Sequence, residues 1–427
     1  MKAPRNRTKV ILWTLVLSVA ATILVLAFTG GEKKLDEPVK REYALHDAQY
    51  QRALGVMLGP PITEGNRFEA LHNGDRIFPP MLAAIRSARQ SITFETYIYW
   101  SGDIGRAFAD ALSERSRAGV KVHVLLDWVG SAKVNEEFVK EMEDAGVEIR
   151  KFHKPNWYDI SRMNNRTHRK LLVVDGRVGF TGGVGIAPAW TGDAQDAEHW
   201  RDSHFKVEGP VVAQMQAVFM DNWIKVSGDV LHGERYFPPI ARVGTGRAQM
   251  FSSSPSGGSE SMHLMYLLSI AAATKSIDLA SAYFVPDDLT VKALVAAMQR
   301  GVKVRIITPG PIIDSKTVRR ASRAAWGPLL EAGAEISEYQ PTMFHCKVFT
   351  VDGLLVSVGS TNFDNRSFRL NDEANLNIYD EAFASTQRIQ FEVDLKQSKR
   401  ITLEEWRERP LSEKALEHAA SMLSAQL

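Results

Sequence analysis

The sequence predicts an α/β protein of two duplicated halves. Each is a sheet sandwiched between helices, and together they share one site at their interface behind a single N-terminal transmembrane helix. Three observations carry this. The spacing H-x-K occurs twice, as His168 and Lys170 and again as His345 and Lys347; strand-like phrases repeat in the same order upstream of each copy; and an uncharged apolar run lies near the N-terminus.

Residues 1–9 form a basic tail carrying Lys2, Arg5, Arg7 and Lys9. Val10 to Phe28 follows without a charge, interrupted only by Thr14, Ser18 and Thr22. Such a run can cross the roughly 30 Å hydrocarbon core, and it exceeds the roughly 7 to 15 apolar residues of a cleaved signal peptide. It reads as a retained signal anchor (10–28); the alternative is a signal peptide cut near Ala27-Phe28-Thr29. Lys33, Lys34, Lys40 and Arg41 on the far side match the basic residues on the near side, so charge bias gives only a weak orientation. The expectation is a single-pass protein of the cell membrane with its body extracytoplasmic, and 29–60 as a linker.

The halves are placed at 61–235 and 245–400. Ser91-Ile92-Thr93-Phe94 matches Ser276-Ile277-Asp278-Leu279, Gly119-Val120-Lys121-Val122 matches Gly301-Val302-Lys303-Val304, and Gly146-Val147-Glu148-Ile149 matches Gly333-Ala334-Glu335-Ile336. Short apolar strands alternate with helical stretches, Ile77 to Arg89, Ile104 to Ala118 and Val134 to Ala145 in the first half. That alternation favours a largely parallel sheet covered by helices. After each H-x-K comes an apolar run, an Asp-Gly pair (Asp175-Gly176 or Asp352-Gly353) and a second apolar run. Asp-Gly between apolar runs signals a hairpin because both turn positions want positive φ, so Asp175 and Asp352 read as structural. Residues two apart on a strand share a face, so each motif offers an imidazole and an ammonium side by side, a pair suited to phosphate. Residues 401–427 read as a C-terminal amphipathic helix, with Leu411, Ala415, Leu416, Ala419, Met422 and Leu423 at helical spacing, docked on the body or lying on the membrane.

Composition narrows the chemistry. With 44% hydrophobic and 24% charged residues there is little room for long disorder. A net charge of +2 gives no basic field, so no nucleic-acid partner is expected. The single cysteine, Cys346, forms no internal disulfide and leaves no cysteine-rich metal site; between His345 and Lys347 it should face the core. Neither metal nor cofactor is expected.

The two blocks resemble the H-x-K-x4-D-x6-G-[GS] signature of the phospholipase D superfamily, and the surrounding text is similar to bacterial cardiolipin synthases. The phrases carrying this are Trp200-Arg201-Asp202-Ser203-His204 after the first block, and Asn362-Phe363-Asp364-Asn365-Arg366-Ser367-Phe368 with Asn371-Asp372-Glu373 after the second. Ala282-Tyr283-Phe284-Val285-Pro286-Asp287 adds to it, and the likeness runs from about Glu64 to the C-terminus. The family signature continues to an asparagine, kept as Asn362; the first copy has Gly185 there. The lost amide would have donated to a phosphate oxygen, and Asn164 or Asn165 are neighbours that could compensate.

Displacement at phosphorus needs charge neutralisation, an aligned nucleophile and a proton for the departing alkoxide. Lys170 and Lys347, with the Asn362 amide, can supply the first without a metal. One histidine can attack as neutral imidazole, giving a phosphohistidine, while the other protonates the leaving oxygen. A symmetric pair does not decide which attacks; the resemblance implies His168, with His345 as acid and base. Asp202 and Glu373, each opening a strand-like phrase after its own block, are candidates to orient the rings.

Arg366, Ser360 and Tyr283 are weaker candidates for substrate contact. Trp157, Tyr158, Met343 and Phe344 could line an acyl-chain entrance or pack in the core. Arg319, Arg320 and Arg323 could hold a headgroup or form a solvated face, and His153, His199 and His204 could touch the site. The resemblance implies phosphatidyl transfer from one phosphatidylglycerol to another, giving cardiolipin and glycerol, with membrane and phospholipid as partners. The alternatives are an anchored phospholipase D releasing phosphatidic acid, an extracytoplasmic phosphodiesterase or nuclease, and a catalytically impaired lipid-binding descendant.

Overall fold

The computed structural model describes residues 4–29, 35, 37–154, 164–255 and 262–427, and in its N-terminal helix the side chains of 7 and 9–22. Among the described residues eighteen strands follow in chain order. The first half holds β1 (Thr63–His72), β2 (Ser91–Thr96), β3 (Lys121–Asp127), β4 (Glu148–Phe152), β5 (Arg166–Thr167), β6 (Leu171–Val174), β7 (Val178–Gly182) and β8 (Ser203–Glu208). The second holds β9 (Gly246–Ser253), β10 (Ser276–Ser281), β11 (Phe284–Val285), β12 (Lys303–Pro309), β13 (Glu335–Tyr339), β14 (Lys347–Val351), β15 (Leu355–Gly359), β16 (Phe363–Asp364), β17 (Asn371–Tyr379) and β18 (Ser398–Ile401).

Outward from the seam the first half reads β1-β8-β7-β6-β2-β3-β4 and the second β9-β17-β15-β14-β10-β12-β13-β18, with β1 and β9 paired antiparallel between them. The matching order is that of a pseudo-two-fold. Within each half the sheet is mixed rather than largely parallel. Within each half of the main sheet the parallel ladders are β2-β3-β4 and β10-β12-β13, where helices carry the chain back between neighbouring strands; β11 and β16 form a separate parallel pair. The remaining ladders of the main path are antiparallel, starting from the two Asp-Gly hairpins, whose turn residues Asp175 (φ 52°), Gly176 (61°), Asp352 (53°) and Gly353 (65°) all adopt positive φ.

Strand alternation divides the core between two faces. On β6, Leu172 and Val174 join the layer under helices Gly74–Ser87, Asp103–Arg117 and Glu136–Asp144, whereas Leu171 and Val173 face helix Val211–Ser227. The second layer also takes Val356, Val358, Leu376 and Ile378 from the other half, so the halves share a hydrophobic core. Each fully buried Leu or Val there contributes about 1.5–3 kcal/mol, which resists separation of the halves.

Three expectations change at the ends of the chain. Within the supposed linker, 45–58 is packed structure: helix Ala48–Met57 sets Tyr50 and Leu54 on the second-half core together with Leu45 and Leu58, and Tyr50 bonds Ser269 Oγ at 2.8 Å. Residues 401–427 form two helices, Leu403–Glu408 and Leu411–Ser421, after the strand β18. The second docks through its polar side: Glu417 is buried, bonded to Arg323 and Arg409, while Leu411, Leu416, Met422 and Leu423 stay exposed on the opposite face. The docked face combines the Glu417–Arg323 ion pair with Ala420, which packs on Val285, Val318 and Ala321.

At the N-terminus, Pro4–Thr29 is one helix whose apolar residues lie on all sides, with Val10, Ile11, Leu12, Trp13, Leu15 and Leu17 exposed. Among the described residues no helix is long and apolar enough to cross a membrane. The side chains of 23–28, the last part of the expected span, lie outside the described residues, as do residues 1–3 of the basic tail and 30–34 and 36 of the linker.

Candidate active site

Each H-x-K segment runs extended into its hairpin, but its backbone is held by the other half. Strand β5 pairs parallel with Asn371 and Asp372 of β17, and His168 N donates to Asp372 O at 2.9 Å. Symmetrically, Arg201 bridges Phe344, and His345 N donates to Arg201 O at 2.8 Å. The motifs therefore precede the strands they were expected to lie within; only Lys347 opens one. Arg201 also forms a buried ion pair with Asp394 of the second half through two bonds of 2.9 and 2.8 Å.

This stitching crosses the acids over. His168 Nδ1 lies 3.0 and 3.1 Å from the two Glu373 oxygens, and His345 Nδ1 lies 2.7 Å from Asp202 Oδ2. Each carboxylate serves the histidine of the opposite half, not the one preceding it in sequence. Sequence distance misleads here because both acids open strands beside the seam. Lys170 Nζ donates to His168 O at 2.7 Å and Lys347 Nζ to His345 O at 2.9 Å, so both ammonium groups stand beside their imidazoles.

The acids are held differently. Glu373 accepts from Ser360 Oγ and from Asn371 Nδ2 at 3.2 Å; Asp202 accepts from Trp190 Nε1 at 2.9 Å and Ser203 N at 2.7 Å. Ser360 thus orients Glu373 and does not line the cavity, contrary to its expected substrate contact. Its counterpart Gly183 has no room for a side chain, since a Cβ there would lie 2.2 Å from Asp202 Oδ1. A Cβ at Gly185 would come within 2.8 Å of Ile98 Cβ and 3.1 Å of the Trp190 ring. An indole thus occupies the room of the missing asparagine, and its N–H goes to Asp202. Asn164 does not compensate, because it is bonded to Arg366 and Gln426.

The groups meet in a cavity of about 530 Å³ lined by His168, Lys170, His345, Asn362, Tyr97, Trp190, Trp200, Tyr283, Asp314 and Arg366 among others. Asn362 lines this cavity and is buried, its Oδ1 without a partner among the described residues. The Trp190 and Trp200 rings each lie 5.3 Å from the His345 ring, and Tyr97 lies 5.3 Å from His168. These aromatics were not singled out in the sequence; Trp200, two residues before Asp202, was the one available signal. Arg366 lines the cavity, but its guanidinium is engaged by Asn164 and the Gln426 carbonyl.

Burial, opposed by Glu373, takes His168 down to about 4, and burial with repulsion from Lys347 takes Lys170 down to about 7. Burial and Lys347 also lower His345, and burial lowers Lys347. Burial pushes both carboxyls up, but the histidine and lysine charges outweigh it and leave Asp202 and Glu373 below the usual range. These shifts favour ionised carboxylates, neutral imidazoles and lysines that would gain from an anionic partner.

Other expected contributors lie elsewhere. Asp175 accepts from the backbone N–H groups of Arg89, Gln90 and Ser91, and Asp352 from those of Thr274, Lys275 and Ser276, fixing the hairpins. Arg319 and Arg323 pair with Glu338. Met343, Phe344 and Cys346 are core residues, and burial pushes the Cys346 thiol up to about 12. His153, His199 and His204 do not line the cavity. Trp157 and Tyr158 lie outside the described residues. Among the described residues no group of three or more His, Cys, Asp or Glu side chains is arranged to hold a metal ion.

Two halves, each lending a histidine to one cleft, a lysine beside that site and an acid to the other half's histidine, define the duplicated phospholipase D architecture. Residues 81–223 and 266–395 match the family described as cardiolipin synthase, PLD-like domain. The chain is 34% identical over 380 residues to cardiolipin synthase 1 of Bacillus cereus, covering 86% of this chain and 74% of that protein. It is 32% identical over 400 residues to cardiolipin synthase of Alkalihalophilus pseudofirmus, covering 93% and 79%. The fold is similar to that of phosphatidylserine synthase from Haemophilus influenzae, with a TM-score of 0.67 at 14% identity over 89% of this chain and 100% of that one. The protein belongs to the cardiolipin synthase family of PLD-like proteins.

Proposed function

We propose that the protein is a membrane-anchored phosphatidyltransferase that converts two phosphatidylglycerol molecules into cardiolipin and glycerol. The observation that carries the reading is the crossed pair of histidine–carboxylate contacts at one cavity lined by both histidines, Lys170 and Asn362, with Lys347 Nζ behind the His345 ring at 3.2 Å. His168, neutral and oriented by Glu373, attacks phosphorus through Nε2. The glycerol oxygen leaves with a proton from His345, and a phosphatidyl group remains on His168. The hydroxyl of a second phosphatidylglycerol then loses its proton to His345 and attacks phosphorus. The P–N bond breaks and both histidines return to their starting state.

The lysines fit this cycle. An anionic phosphodiester relieves their mutual repulsion, holds them protonated and raises His345 towards the protonated form that an acid requires. Lys170, Lys347 and Asn362 neutralise the non-bridging oxygens as charge builds. The aromatic walls exclude water and thereby favour transfer over hydrolysis.

Residues 10–28 form the anchor, in a helix whose 26 residues extend roughly 39 Å at 1.5 Å per residue. The exposed apolar side chains of this helix, and the outward apolar face of Leu411–Ser421, favour placement at a bilayer; we place the body on the extracytoplasmic side. The test is detergent-solubilised protein with phosphatidylglycerol and separation of the lipid products. Cardiolipin and glycerol are expected, and are lost in His168→Ala and His345→Ala. Phosphatidic acid as the sole product would overturn the transferase reading.

A further inference from the structure

A cavity for anionic lipids contains a carboxylate that the reaction scheme leaves unused. Asp314 sits in the loop between β12 and helix Lys316–Ala324 and lines the cavity wall. Tyr283, just before β11, donates from its hydroxyl to Asp314 Oδ2 at 2.6 Å. Asp314 Oδ1 has no protein partner among the described residues, and the phenol oxygen retains lone pairs to accept. The charge of Asp314 reaches His345, Lys347 and Tyr97, so this wall faces the acid–base histidine.

A carboxylate repels phosphate and accepts hydrogen bonds without donating any, so its natural partner in such a cavity is a hydroxyl. We propose that Asp314 and Tyr283 form a polyol subsite that binds the glycerol moiety of the leaving and entering groups. One free hydroxyl donates to Asp314 Oδ1 and its neighbour to the Tyr283 oxygen, while the reacting oxygen points at His345. Departure and attack are mirror images of one step, so the middle hydroxyl donates to Asp314 in both the leaving glycerol and the entering headgroup, while the bond to Tyr283 is made by the leaving glycerol alone, because the third oxygen of the entering headgroup is esterified to phosphate. Asp314 is exposed at the cavity mouth, so water can replace a missing hydroxyl there; a monohydric alcohol can react at phosphorus but forgoes both bonds and the binding they add.

This rests on the phosphatidyltransferase reading, and the test separates the two. Full-length protein in detergent with phosphatidylglycerol is offered labelled glycerol or ethanol, and kcat/KM is measured for phosphatidyl transfer to each. Wild type should prefer glycerol. The preference should fall at least about tenfold in Asp314→Ala and several-fold in Tyr283→Phe, which keeps the ring but loses the bond that orients Asp314. Asp314→Asn, which keeps an acceptor of similar shape, should fall between Asp314→Ala and wild type. An unchanged glycerol-to-ethanol ratio in Asp314→Ala would overturn the subsite while leaving the transferase intact. Wild-type protein that transfers to neither alcohol and forms no cardiolipin would overturn both.

Discussion

Glu373→Gln tests the crossing of the acids directly. As His168 bonds to phosphorus its ring becomes cationic, and Glu373, fully buried at 3.0 Å from Nδ1, is the counter-charge. Unit charges about 4 Å apart at an effective dielectric of about 20 attract by about 4 kcal/mol. Glutamine keeps the shape and one acceptor, so the loss should be nearer 3 kcal/mol, roughly a hundredfold in the rate of phosphohistidine formation. The assay is rapid acid quench of labelled phosphatidyl-enzyme. Asp202→Asn should slow the same step for a different reason, by impairing His345 as acid. A phosphatidyl donor with a nitrophenolate leaving group, which departs without a proton, should therefore restore much of the Asp202→Asn rate and little of the Glu373→Gln rate. If the nitrophenyl donor rescued Glu373→Gln instead, the crossed assignment would be refuted. Glu373→Gln turnover within a few-fold of wild type would remove the acid from the mechanism.

The other expectations concern the same cleft and its supports. Lys170 in the free enzyme sits near 7, below its ordinary value, so it loses its proton as pH rises through that point. kcat/KM should fall above about pH 7 while kcat is less affected, since bound phosphate restores the charge; pH profiles of both constants check this, and a flat kcat/KM between about pH 6 and 9 would contradict it. Gly185→Asn, which writes the family asparagine back, should lower thermal stability by about 1–3 kcal/mol and not raise activity, because its Cβ meets Ile98 at 2.8 Å and Trp190 at 3.1 Å. In a double-mutant cycle by denaturant titration, Gly185→Asn should cost less in a Trp190→Ala background than in wild type. Asp352→Ala strips the acceptor from three backbone N–H groups and the Thr274 hydroxyl and should cost about 2–4 kcal/mol of stability, with turnover of the folded fraction retained. A selective collapse of kcat without destabilisation would make this aspartate part of the chemistry.

Much was legible without coordinates because duplication turns weak signals into strong ones. Two H-x-K motifs followed by the same Asp-Gly grammar announced two similar halves, and positive φ at both Asp-Gly turns is a local property that the sequence alone can dictate. The side-by-side placement of each imidazole and ammonium follows equally from extended backbone. The sheet was misread as largely parallel because strand–helix–strand crossovers make only two ladders in each half; the Asp-Gly hairpins are antiparallel, and most of the other ladders are long-range pairings with no local mark.

What the sequence by itself determined is therefore the inventory and its local geometry: two histidine–lysine pairs, their hairpins, Asn362 and the acids that follow. Only the tertiary structure decided who partners whom. The pseudo-two-fold seam sends Glu373 to His168 and Asp202 to His345, gives Ser360 to Glu373, and fills the space beside Gly185 with Trp190. It also turned the polar side of the last helix inward and set Asp314 facing the cleft. Hydrogen bonds and ion pairs between segments hundreds of residues apart depend on where backbones are held, and that is fixed by the shared core, not by spacing along the chain.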